Sequence, residues 1–441
     1  MKVGVDILKE SDKIVSEVKE RYSFKTKNEA LNFIINSFSQ KDKIDNTQIG
    51  VGTADISNLE KKYVNQVLNS ERLSYGPFLK KFEKEFARKH DSKFAIAVNS
   101  GTDALRIALA CLKESENWQD GDEIICPALT FISTSNMILQ NNLKPVFVDV
   151  DPFIYNIDPK RIEEKITKKT KAIMVVHLFG QPADMSEILM IAKKHKLKII
   201  EDSCETMLVK YKGKSVGSFG DISCFSTYVA HLLVTGVGGL AVTNNPKYAE
   251  IMRSFANHGR DGIYISIDDD KNKKGEELKE IVNKRFSFIR MGHSSRITEM
   301  EGALGLAQLE RSDEILSKRK RNAAYLISKL NKFKSKIQLP YKKEDRSHAY
   351  MMFPIVLKKN SRISKQKLTL FLEENKIETR DMLPLTNQPV YKKIFGELED
   401  KYPVTKWINN NGFYIGCHQK LDKENLDYIV SKFEDFFKLQ E

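Results

Sequence analysis

The chain has 441 residues, 41% hydrophobic and 30% charged, with a formal net charge of +13 spread as interleaved charges of both signs rather than one basic arm. That length can bury a sizeable core and hold two or three domains, while no apolar run reaches the ~20 residues of a membrane span and the first residues lack a secretory leader. A cytoplasmic protein with no membrane partner is therefore expected; its excess charge by itself would suit nucleic acid, a membrane surface or an anionic small molecule such as a nucleotide diphosphate, with much of it solvated surface.

Residues 1–45 read as a separate module. Val3, Val5 and Ile7 alternate with polar neighbours as a short half-buried strand would, and helical patterns follow over Ser11–Arg21 and Lys27–Ser39. Strand, helix, helix is the order of a ribbon-helix-helix module, which pairs with a second copy and can read a major groove. Nine basic residues stand against eight acidic ones, too even a balance for strong phosphate binding. A dimerisation or docking extension is favoured over a nucleic-acid partner.

After the polar linker Lys41–Gly52, helices are expected over Leu59–Asn69 and Phe78–His90, the second amphipathic with Phe82 and Phe86 on one face. A strand, Phe94–Val98, then meets Asn99-Ser100-Gly101-Thr102 and a helical pattern over Asp103–Leu112. Such a turn makes an anion site, because the free amides of the first helical turn point at the ligand. Strand-like and helix-like runs alternate from there: Glu123–Cys126, Phe131–Gln140, Pro145–Val150, Ala172–His177, Met185–Lys194 and Lys198–Glu201. This is an α/β pattern with a mostly parallel central sheet, helices on both faces, and ligands beyond the carboxyl ends of the strands. Thr102, Asp202, Ser226 and His231 are expected to converge there.

Residues 266–285 are charged and read as a surface loop or mobile flap. Ile297–Leu309 reads as an amphipathic helix rich in small residues, and a long helix over Leu316–Leu330 leads into a smaller C-terminal α/β domain with a strand at Met352–Leu357. The expected domains are 1–45, 46–320 and 321–441. The five cysteines, 111, 126, 204, 224 and 417, lack zinc-ligand spacing, so buried thiols and no metal are expected.

One stretch organises the rest: Cys224-Phe225-Ser226-Thr227-Tyr228-Val229-Ala230-His231, continued to Gly236-Val237-Gly238-Gly239. With it go Tyr75-Gly76-Pro77, Ser100-Gly101-Thr102-Asp103-Ala104-Leu105, the run His177 to Asp184, Glu201-Asp202, and Arg296-Ile297-Thr298-Glu299-Met300. In this order they resemble the DegT/DnrJ/StrS sugar aminotransferases, pyridoxal phosphate enzymes of fold type I, over about residues 50–440. The resemblance implies that Asp202 keeps the cofactor's pyridine nitrogen protonated and that Gly101, Thr102 and Ser226 hold its phosphate. It places Phe131 near the ring and Glu205 beside the cofactor. Ser294 occupies the slot of an asparagine that completes the phosphate site from a partner subunit, so a homodimer is expected. Arg380, Asn387 and Gln388 are candidate substrate contacts by side-chain type and position, and His418 is expected to be structural.

In most of this family a lysine in the slot of His231 bonds the cofactor. Histidine cannot form that imine, but it can carry a proton near neutral pH. The pattern is similar to the deoxysugar 3-dehydratases, GDP-4-keto-6-deoxymannose 3-dehydratase among them. It implies pyridoxal or pyridoxamine 5'-phosphate held without a covalent link, a nucleotide-linked 4-ketosugar as substrate, His231 and Asp202 as catalytic residues, and glutamate as amino donor. An aminotransferase using His231 or one of Lys210, Lys212 and Lys214, and a non-catalytic ligand-sensing or DNA-binding homologue, are the alternatives. Leu232 stands where a second histidine is usual, and Thr227 where an aromatic is.

Overall fold

The computed structural model of the chain describes residues 9–21, 25–31, 48–261, 270–359, 361 and 363–439. Its contacts divide into two units, Met1–Ile49 and Gly50–Glu441. In the first, a helix over Lys9–Arg21 buries Val15, and a short helical stretch at 27–31 buries Ala30. Lys27 pairs with Asp12 at 2.8 Å. The strand expected at Val3–Ile7 and the rest of the helix expected to reach Ser39 lie outside the described residues.

The second unit is built on a seven-stranded sheet of β1 (Phe94–Val98), β2 (Glu123–Pro127), β3 (Lys144–Val148), β4 (Thr170–Val176), β5 (Lys198–Asp202), β8 (Ile222–Ser226) and β9 (Gly239–Thr243), with a two-stranded hairpin, β6 (Lys210–Tyr211) and β7 (Lys214–Ser215), between β5 and β8. The order is β1-β9-β8-β5-β4-β2-β3. The pairings β8·β5, β5·β4, β4·β2 and β2·β3 are parallel, and β9 alone runs against its neighbours. The strands are buried along nearly their whole length because helices cover both faces. Phe82, Phe86, Phe225 and Leu240 fill one face, and Ile96, Val98, Leu105 and Ala241 the other.

A smaller antiparallel sheet follows, of β10 (Ile337–Gln338), β11 (Phe353–Leu357), β12 (Thr379–Asp381) and β13 (Gly412–Ile415), in the order β10-β11-β13-β12. The helices Ser312–Leu330 and Lys423–Leu439 pack on each other beside it. Asp149, just past β3, ties this region to the large sheet. It accepts from the amides of Val404 and Thr405, each at 2.9 Å, at the start of the helix Pro403–Asn411.

Two elements differ from expectation. Within 266–285, Gly275–Lys284 is a helix with Ile281 its buried residue, and residues 266–269 lie outside the described ones. The charges that lower its hydrophobicity support it instead, through Lys273–Glu277 and Lys284–Glu280 pairs one turn apart. The segment at Ile297–Leu309 begins its helix at Glu299, because Thr298 and Glu301 form a capping box. It is buried around most of its circumference rather than amphipathic: a Cβ on Gly302 would meet Leu79 N at 2.8 Å and one on Gly305 the Phe82 ring at 2.5 Å. Small residues there let the helix Pro77–Lys89 come close, and the Glu299 carboxylate accepts from the amides of Gly76 and Phe78 at 2.8 and 2.6 Å.

Candidate active site

The carboxyl ends of β1, β2, β4, β5 and β8 open on one cavity of about 390 Å³, closed on the small-sheet side by Met351, Met352, Leu383 and Tyr414. Among the described residues no lysine or arginine lines it.

β5 delivers a buried acid, Asp202. Its Oδ2 accepts from Thr134 Oγ1 at 2.7 Å, whose own oxygen lies 2.8 Å from that of Thr130, and its Oδ1 accepts from the Cys204 amide at 3.2 Å. Burial raises its pKa, partly offset by the Thr134 bond. A carboxylate in that balance gains much from a cation placed against it, as a protonated ring nitrogen would be.

The anion end is the start of the helix Gly101–Ser115. Ser100 caps it, accepting from the Asp103 amide at 3.0 Å, and leaves the first amides facing the cavity with Thr102 and Ser226. Glycine is required at 101, since a Cβ there would lie 2.6 Å from Cys204 Sγ and 2.8 Å from Ser226 Cβ.

His231 sits on the loop after β8. Its Nδ1 lies 3.3 Å from the Ser226 carbonyl, a contact that only Nδ1–H makes favourable, so the neutral ring keeps its lone pair on Nε2. Its pKa falls to about 4, through burial first, with the Ser226 carbonyl opposing and the Arg319 charge adding to the fall. The imidazole is neutral at pH 7 and able to accept a proton. Tyr228 stands edge-on to it, ring centres 6.0 Å apart. Thr227 turns inward to bond Thr235 at 2.7 Å, a buried polar pair where an aromatic is usual, and Leu232 is buried.

Glu205, on the turn after β5, accepts from the Phe179 amide at 3.0 Å, which a left-handed Phe179 (φ 54°) aims at it. Burial lifts its pKa to about 7.

Gly101, Thr102, Phe131, Asp202, Glu205, Ser226 and His231 thus share one cavity. Ser294, Arg380, Asn387 and Gln388 do not line it. Ser294 is exposed and accepts from Arg296 at 3.2 Å. Arg380 is paired with Glu378, though its strand position is directly opposite Tyr414, and Gln388 bonds the Pro384 carbonyl at 2.7 Å. Lys210, Lys212 and Lys214 are on the β6–β7 hairpin and do not line the cavity. His418 is buried. Thr134, Tyr414, Met351 and Leu383 were missed; the Thr130-x-x-x-Thr134 spacing on a helix start was the one signal available for Thr134.

Residues 54–434 match the DegT/DnrJ/EryC1/StrS aminotransferase family. The chain is 37% identical to the lipopolysaccharide biosynthesis protein RfbH of Salmonella typhimurium, over 83% of this chain and 86% of that one. It is 34% identical to GDP-perosamine synthase of Escherichia coli O157:H7, over 88% and 98%. Among solved structures, E. coli GDP-4-keto-6-deoxy-D-mannose-3-dehydratase with bound hydrated PLP superposes with a TM-score of 0.79 at 28% identity, covering 87% of this chain and 98% of that one. With its mostly parallel sheet and the cavity at that sheet's carboxyl edge, this chain belongs to the DegT/DnrJ/EryC1/StrS aminotransferase family.

Proposed function

We propose that the chain is a 3-dehydratase acting on a nucleotide-linked 4-ketosugar, with His231 as its proton carrier. The observation that carries this reading is His231 in a cavity that, among the described residues, no lysine lines. The cofactor is pyridoxal 5'-phosphate, working in its amine form, and the residues present fit it: free helix amides and Ser226 at the phosphate end, and the buried Asp202 for the ring nitrogen. Once bound it supplies an electron sink that lets a bond next to the sugar carbonyl break.

Asp202 would hold the charge of the ring nitrogen, and Thr134 orients that carboxylate. His231 takes a proton at Nε2 and, once charged, gives it to the oxygen departing from carbon 3. Because burial holds its pKa below the ordinary imidazole value, the protonated ring gives its proton up readily in that second task. Met351, Met352 and Leu383 exclude water from the reacting end. Arg380, Asn387 and Gln388 remain the proposed substrate contacts, on the small-sheet side, where the nucleotide would extend beyond the cavity. The domain reading of 1–45, 46–320 and 321–441 is kept as a proposal, as are a homodimer and glutamate as amino donor.

The likeness to a perosamine synthase keeps an aminotransferase as the second reading. The test is an absorbance spectrum with added pyridoxal phosphate, before and after borohydride, followed by intact mass and by turnover of His231→Asn. Bound but non-reducible cofactor that glutamate converts to the amine, with turnover lost in His231→Asn by ~10²-fold or more, is expected. A lysine adduct, or transamination retained in the variant, overturns it in favour of the aminotransferase; no cofactor binding points to a non-catalytic homologue.

A further inference from the structure

Arg319, on the helix Ser312–Leu330, heads the fully buried side chains in size, with no measurable exposure. Among the described residues its guanidinium bonds go to neutral oxygens alone. Nε donates to Gln419 Oε1 at 3.0 Å, Nη1 to the carbonyls of Met351 and Tyr350 at 2.8 and 3.3 Å, and Nη2 reaches the carbonyl of His231 at 3.5 Å. A buried cation with no carboxylate bonded to it is costly, and an apolar side chain of similar length could fill the same space. What the guanidinium adds is its list of partners. It joins the loop that carries His231, the segment that brings Met351 and Met352 to the cavity wall, and the turn after β13.

We propose that Arg319 is a positioning residue for His231, clamping the His231 peptide to the Met351 wall and placing a fixed positive charge behind the imidazole. The inference rests on the reading of His231 as proton carrier. The planar fork suits this role, since five donors on a rigid frame can hold several carbonyls from different segments at once, which an ammonium cannot. The charged and titratable groups around His231 are Arg319 from this helix, Tyr228 from its own loop, and Asp202, Cys204 and Glu205 from the end of β5, with Tyr414 across the cavity. Of these only Arg319 brings positive charge, and it works with burial to keep the imidazole neutral.

The test uses the full chain with Arg319→Met and Arg319→Lys. The His231 ring titration is followed by NMR in protein without added cofactor, its resonance assigned by loss in His231→Asn, and kcat and KM are measured on the 4-ketosugar with cofactor. In Arg319→Met the His231 pKa is expected to rise by roughly one unit and kcat to fall by ~10-fold or more with KM changed less than about twofold. Arg319→Lys should keep the titration close to the wild type and still lose kcat, because charge is retained and the fork is not. A folded Arg319→Met with unchanged titration and kcat overturns the proposal. If Arg319→Met fails to fold, wild-type kcat and KM in Arg319→Lys overturn it. Turnover retained in His231→Asn would instead sink the reading of His231 as proton carrier, whereas the titration shift reports on Arg319 independently of turnover.

Discussion

Two carboxyls three residues apart at the end of β5 are held in different ways. Asp202 has a hydroxyl and an amide on its two oxygens, while Glu205 has one amide, from Phe179, and little else to offset its burial. Glu205 therefore titrates near pH 7. Because its folded pKa is raised above the ordinary carboxylate value, the folded state binds the extra proton between about pH 4.5 and 7. Stability is full below that window and falls as pH rises through it. Glu205→Gln keeps an acceptor for the Phe179 amide and removes the titration. Its apo form is expected to melt above the wild type at pH 8, by the equivalent of about 1–3 kcal/mol, and to match it near pH 4.5. Thermal melts at the two pH values check this, and equal melting points at pH 8 would refute it.

At the scale of the element, the position of β5 depends on the residue before Asp202. Glu201 is fully buried, and its carboxylate accepts from the amides of Gly217, Phe219 and Gly220 at 2.9, 2.8 and 2.7 Å, from Ser223 at 2.8 Å, and from His177 Nε2 at 3.0 Å. His177 Nδ1 accepts from the Ala183 amide at 3.0 Å, which fixes the tautomer that donates to Glu201. Burial by itself would raise the Glu201 pKa, but His177 and the amides together hold it below the usual value. Its contribution to stability is thus present above the ordinary carboxylate pKa and lost as pH falls below it. Glu201→Gln faces an amide group toward these donors and is expected to cost about 3–5 kcal/mol at pH 7, read as a lower urea midpoint, the gap narrowing toward acid pH. The His177 to Asp184 run and the Glu201-Asp202 pair were visible in the chain as motifs, and the apolar runs marked the strands. The bond that joins those two motifs was not, because it forms between residues 24 apart that share only a sheet neighbour. The helix at Gly275–Lys284 was hidden for a different reason: Leu278, Ile281 and Val282 do stand at helical spacing, but the run of charges around them reads as a loop. Arg319 was hidden because a single arginine in a helical run reads as solvent-exposed.

At the scale of the whole molecule the cavity poses a charge problem. Among the described residues it carries two carboxyls and no cationic side chain, yet a phosphate bound at its anion end would have its charge met only in part by the helix amides and hydroxyls of one chain. A second copy of the chain would answer this. Phe286 and Met291 are 81% and 95% exposed, and Phe288 and Ile289 beside them about half, an apolar cluster that a lone chain leaves in water. The same segment runs on to Ser294, proposed above as standing in the slot of a partner's phosphate contact, and to Arg296, which is hydrogen-bonded to it. A copy docked through the cluster would bring a guanidinium toward its neighbour's anion end. Phe286→Lys with Met291→Glu is expected to convert a dimer to monomers in sedimentation velocity and to weaken pyridoxal phosphate binding by ~10-fold or more, while Arg296→Gln should weaken the cofactor alone and leave the dimer intact. A double variant that stays dimeric would show that the cluster is not the interface, and an Arg296→Gln that binds the cofactor as the wild type does would show that Arg296 does not meet the phosphate's charge.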